Sequence, residues 1–137
     1  TVLSRGLGDV YKRQLEMLPK PNHKIPILVG GFSKPAIRRA AQHDGWVSDL
    51  HSLEELKALI KKIKQERLEK NQTGEYQIIA FSCWDAFSAD GFKKMQELGV
   101  TTITTYPWML YGVMNEAPLQ DKLDGLKRFS DEIINKF

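Results

Sequence analysis

Apolar residues recur along this chain in two alternating patterns. Residues 24–29 form a short, nearly continuous apolar run with β-branched members, the pattern of a strand buried on both faces of a parallel sheet. Pro26 sits early in it, where a missing ladder donor is tolerated. Ser33 then predicts a helix N-cap and Pro35 a first helical turn, so residues 36–42 are expected to be a short helix. Residues 45–48 predict a second strand. Ser52-Leu53-Glu54-Glu55 has the spacing of a capping box. Behind it Leu53, Leu56, Leu59, Ile60, Ile63 and Leu68 recur at helical spacing. Lys57, Lys61, Lys62, Lys64 and Arg67 fill the opposite face, the pattern of a solvated helix surface.

The alternation continues to the end of the chain. Residues 77–83 predict a third strand, with Cys83 a small buried member of it. Ser88 caps a helix that Gly99 stops in a left-handed conformation. Residues 101–106, TTITTY, have strong β propensity. Residues 107–118 are expected to be a loop rich in aromatics and Met. Residues 119–137 predict a last helix burying Leu119, Leu123, Leu126, Phe129, Ile133 and Phe137 along one stripe. The order β-α-β-α-β-α-β-α implies an α/β fold with a parallel sheet. Two architectures suit it: a doubly wound open sheet, or four βα units of an eight-unit barrel, which when complete needs about 250 residues.

Composition narrows the function classes. The 137 residues, 42% hydrophobic and 27% charged, suit one domain with a real core. No apolar run approaches the roughly 20 residues of a membrane span. One cysteine excludes an intramolecular disulfide and a multi-cysteine zinc site, and a cytoplasmic location is the expectation. The net charge of +3 invites a nucleic-acid reading that does not survive inspection. Asp9-Val10-Tyr11-Lys12-Arg13-Gln14 back-translates to GAT GTG TAT AAG AGA CAG, which resembles the transposon end used in sequencing libraries. Residues 1–14 are therefore read as a non-native leader and set apart from the domain, residues 15–137. Arg5, Lys12 and Arg13 against Asp9 give the leader +2, which leaves the rest of the chain +1. No basic footprint for nucleic acid remains.

The candidate chemistry lies where the first strand ends. In parallel α/β units ligands sit at the carboxyl ends of strands, and Gly30, Gly31, Phe32 and Ser33 occupy that end. Glycines let a phosphate approach backbone amides without meeting a Cβ, and a helix start adds free N–H groups. The same four residues also suit a tight strand-to-helix turn with no ligand. Thr104, Thr105, Tyr106, Pro107 and Trp108 end the fourth strand on that side. Tyr106 and Trp108 can wall a flat ring or cover the core, and Trp84 and Asp85 pose the same choice after the third strand. Asp44, at the amino end of the second strand, is expected to bond backbone or a basic neighbour, and Trp46 to pack. His23, His43 and His51 show no metal-ligand spacing, so no metal site is expected. No nucleophile motif is present.

The stretch KIPILVGGFSKPAIRRAAQHDGWV, with its pattern IPILVGG-x-S, A-x-RRAA and DGW, resembles the luciferase-like monooxygenase family. The ending GVTTITTYPWMLYG followed by PLQDKLDGLKRFSDEIINKF is similar too. The resemblance covers residues 19–137. It implies the carboxyl-terminal half of a (β/α)₈ TIM barrel, with these strands the fifth to eighth. It implies that Gly30, Gly31, Phe32 and Ser33 help hold a cofactor phosphate: coenzyme F420 on the branch most resembled, FMN as the alternative. It further implies hydride or electron transfer to or from a small organic substrate. The proposed acid/base residues of that family lie in the first four units, so the catalytic residues here are unknown. A non-catalytic α/β phosphate-binding or sensing module is the other function the residues allow. An incomplete barrel leaves two open sheet edges, so a poorly stable chain or a homo-oligomer that binds cofactor weakly is expected.

Overall fold

A computed structural model describes residues 18–137; the leader read at residues 1–14 lies outside the described residues. The strands are β1 (Leu28–Gly30), β2 (Gly45–Val47), β3 (Gln77–Phe81) and β4 (Thr102–Thr104). The helices are α1 (Lys34–Ala40), α2 (Leu53–Glu69), α3 (Ala89–Leu98) and α4 (Leu119–Glu132). Short 3₁₀ turns lie at Pro107–Tyr111 and Ile134–Lys136. The fold is α/β with one four-stranded parallel sheet in the order β1-β2-β3-β4. Strand order follows chain order, so no topological switch point occurs among these four strands.

Register decides which side of the sheet is the core. Val29, Trp46 and Ile78 are partners across β1, β2 and β3, and Ala80 partners Ile103 of β4. All five join one hydrophobic cluster with Ile37 of α1, Leu56, Ile60 and Ile63 of α2, Phe92 and Met95 of α3, and Phe129 of α4. The alternate residues face the other way, as the period of 2 requires. Leu28, Val47, Ile79 and Phe81 on that face are half-buried, and Thr102 and Thr104 are exposed.

Capping chemistry sets the helix starts. Ser33 accepts from the Ala36 N–H, Ser52 and Glu55 form the full capping box, and Ser88 accepts from the Gly91 N–H. Gly99 stops α3 at φ 101°. The strands are shorter than the apolar runs implied. β1 begins at Leu28 rather than at residue 24, because the Ile27 N–H is bound by the Asp44 carboxylate instead of a neighbouring strand. Cys83 is buried as expected but lies beyond β3.

The last helix departs most from expectation. It ends at Glu132, and the chain continues as a 3₁₀ turn. Phe129 and Ile133 are buried, whereas Leu119, Leu123, Leu126 and Phe137 are exposed. The buried line passes instead through Gly125, against which the Trp108 backbone packs so closely that an added Cβ would stand 2.9 Å from Trp108 Cα.

Candidate functional site

Gly30 closes β1, Gly31 turns the chain at φ 101°, Phe32 is 60% exposed, and Ser33 caps α1. Positive φ favours glycine at Gly31. The Gly31 carbonyl accepts a 2.8 Å hydrogen bond from Trp46 Nε1. Trp46 is fully buried on the helix side of the sheet. In a trans peptide the C=O of one residue and the N–H of the next point in opposite directions. The Phe32 N–H is therefore aimed away from Trp46 and the core. The Gly30–Val47 pairing directs the Gly31 N–H at the Val47 carbonyl in the β1–β2 ladder; among the described residues no protein group accepts from the N–H groups of Phe32 or Ser33. The Ser33 hydroxyl accepts a long 3.4 Å bond from the Ala36 N–H and keeps its own hydrogen to donate.

The Asp-Gly-Trp segment fixes this loop from below. The Asp44 carboxylate accepts from Lys24 Nζ at 2.6 Å and from the Ile27 N–H at 2.8 Å. These bonds, the lysine first, hold its carboxyl below the ordinary aspartate range. The Asp44 backbone also bridges β1 and β3, donating to the Ile27 carbonyl and accepting from the Gln77 N–H. Gly45 lets the strands approach, since a Cβ there would stand 2.6 Å from the Gln77 carbonyl oxygen. The expected structural roles of Asp44 and Trp46 thus hold. The indole bond to Gly31 was not foreseeable from local sequence.

Other loops gather at the same rim. The Phe32 ring meets His51 edge-on at 5.6 Å. The His51 carbonyl accepts from the Trp84 N–H at 3.3 Å. His51 Nε2 is buried and has no hydrogen-bond partner among the described residues. Sequence reasoning passed over His51, because its neighbours Phe32 and Trp84 come from two other loops and no spacing announces them. Thr105 donates to Ser82 at 3.1 Å, tying the ends of β3 and β4. Trp84 and Tyr106 are 67% and 51% exposed.

The remaining candidates divide. Trp108 sits 5.7 Å from the Tyr106 ring but is half-buried against α4 at Gly125, while Tyr106 stays open. Asp85 accepts from the Leu53 N–H at 2.8 Å and so caps the first turn of α2. Burial, with a lesser contribution from Asp85, pushes the Cys83 thiol up to about 11. No three His, Cys, Asp or Glu side chains cluster to hold a metal among the described residues. No helix among them is long and apolar enough to cross a membrane.

The arrangement offers an anion the two unpaired backbone N–H groups of Phe32 and Ser33 and one hydroxyl, beside an open aromatic ring, at the carboxyl end of a parallel strand. α1, with seven residues, contributes only a short dipole, so the loop amides dominate.

The chain matches no family model. It is 37% identical over 131 residues to uncharacterized proteins of Mycobacterium bovis and of two Mycobacterium tuberculosis strains. The match covers 94% of this chain and 45% of each relative, so the chain spans a little under half the length of the curated relatives it matches.

Proposed function

We propose that this chain is the carboxyl-terminal half of a luciferase-like (β/α)₈ oxidoreductase, and that Gly30, Gly31, Phe32 and Ser33 hold the phosphate of coenzyme F420, with FMN the alternative. The observation that carries this reading is the pair of unpaired N–H groups at Phe32 and Ser33, beside the glycine turn. A buried donor without an acceptor is costly, but exposed amides at a rim are a cradle ready for an anion. The absence of side chains at Gly30 and Gly31 suits close approach of phosphate oxygens. Exposed Phe32, Trp84 and Tyr106 suit the flat, partly apolar remainder of such a molecule.

The sheet supports the barrel. Strands that follow chain order, with one face in the helical core and the other half-open, fit four consecutive units of a closed barrel. A doubly wound sheet reverses its strand order and covers both faces. Relatives more than twice as long as the matched stretch leave room for the complementary units.

The cofactor, when bound, supplies a ring that accepts or donates hydride. The chain's own residues bind and orient its phosphate. Asp44, Asp85 and Cys83 have structural partners or full burial and are given no catalytic role. The organic substrate is assigned to the part of the barrel formed by other units.

Titration of the protein with FMN and with F420, followed by the fluorescence of each, tests the reading. Saturable binding competed by inorganic phosphate, and weakened at least tenfold by Gly31→Ala, is expected. No binding of either molecule, or binding indifferent to phosphate and to Gly31, contradicts it.

A further inference from the structure

A groove of about 480 Å³ lies between α1 and α2. Phe32, Lys34 and Ile37 line one side of it, and Lys61, Lys62 and Glu66 the other. Glu66 is already engaged, by Arg38 at 3.3 Å and by Lys70 at 4.0 Å. Lys34, Lys61 and Lys62 make no ion pair or hydrogen bond with any described residue. The groove therefore carries three unanswered ammonium groups beside the apolar surface of Phe32 and Ile37. From sequence alone Lys61 and Lys62 belong to a solvated helix face; the fold sets them across from Lys34. The groove also adjoins the candidate anion site. Phe32 and Lys34 flank Ser33 in the chain, and Phe32 supplies both an unpaired amide and a wall of the groove.

We propose that this groove takes an acidic tail, a chain of carboxylates that the ligand carries beyond its phosphate. The inference rests on the cofactor reading above and selects between its two candidates. F420 continues past its phosphate into a chain of glutamyl carboxylates, whereas FMN ends at its phosphate. A phosphate held at Phe32 and Ser33 leaves the three lysines unused; a chain leading from it reaches them. Each carboxylate meeting an exposed ammonium group gains little. Several on one tethered chain add these gains without a second loss of translational freedom. Phe32 and Ile37 suit the methylene groups of such a chain.

Titration of the protein at low salt with F420, with F420 stripped of its glutamates, and with FMN tests this. F420 is expected to bind about fivefold more tightly than its tail-free form. Lys61→Glu combined with Lys62→Glu, both at exposed positions, is expected to abolish that preference. Binding of FMN and of inorganic phosphate by this variant should stay within about twofold, with helical circular dichroism retained. Ionic strength of about 0.5 M is expected to erase the preference as well, because exposed charges are screened. Equal affinity for F420 and its tail-free form overturns the tail site; if both are still weakened by Gly31→Ala, the phosphate site stands. A charge reversal that weakens all three ligands alike also overturns it, since the lysines then act on the phosphate itself. A protein that binds neither cofactor nor phosphate overturns both readings. If that protein still captures a tetraglutamate peptide through Lys61 and Lys62, the groove belongs to an acidic peptide partner instead.

Discussion

The indole N–H of Trp46 donates to the carbonyl of Gly31 across 2.8 Å, joining the second strand to the turn that follows the first. One end of this bond is fully buried and the other lies in an exposed turn. The bond fixes the peptide plane between Gly31 and Phe32, and with it the direction of the Phe32 N–H. Core packing thereby sets the geometry of a surface loop.

Replacing Trp46 by Phe keeps a ring in the core but removes the donor. The Gly31 carbonyl then loses its buried partner, at a cost of about 1–3 kcal/mol. A fall of that size in urea-unfolding stability is expected, together with weaker phosphate binding. Unchanged phosphate affinity in a destabilised variant would show that the bond stabilises the fold without orienting the loop.

Gly31→Ala meets two obstacles. Its φ of 101° disfavours any Cβ, and the added carbon would stand 3.2 Å from Ala36 Cβ. A loss of about 1–2 kcal/mol is expected, measured by thermal unfolding. Gly30→Ala, whose Cβ would find its nearest atom at 3.9 Å, is expected to cost less and to act mainly on anion binding.

Much of the fold was legible because its signals are local. Ser33, Ser52 and Ser88 cap helices within three residues of themselves, and Gly99 needs only its own backbone angle. The βα alternation gave the parallel sheet for the same reason. The α4 stripe misled because helical spacing identifies an apolar face without saying what lies opposite it. Leu119, Leu123 and Leu126 have no partner surface among the described residues, while Gly125, which no hydrophobic pattern would select, makes the close contact with Trp108. The glycine pair and Ser33 stood out at the candidate site. His51 and the Trp46 bond did not, since each depends on loops distant in sequence.

Asp44 makes stability depend on acid. Its carboxyl is held below the usual range by Lys24 and the Ile27 N–H, so the folded state binds this proton less readily than the unfolded chain. The contribution is present in full above the unfolded value near pH ~4 and disappears as pH falls through the folded value. Urea midpoints measured from neutral pH downward are expected to drop in that acid window. Asp44→Asn is expected to lower the neutral midpoint and flatten the drop. A variant with the wild-type acid profile would remove Asp44 from the account.

Cys83, with its thiol pushed up to about 11 and its side chain buried, is expected to resist an aromatic disulfide reagent at pH 8. At that pH roughly one thiol in a thousand is ionised, and the thiolate is the reactive form. Reaction is expected to accelerate steeply in denaturant. Rapid labelling of the native protein would contradict the burial.

The central claim concerns two amides, and their resonances test it most directly. In a ¹⁵N-resolved spectrum recorded during titration with FMN or F420, and separately with inorganic phosphate, the N–H groups of Phe32 and Ser33 are expected to move together and to saturate. Both ligands should produce downfield shifts at the same two positions. Saturation that leaves these two resonances in place while others move would contradict the claim.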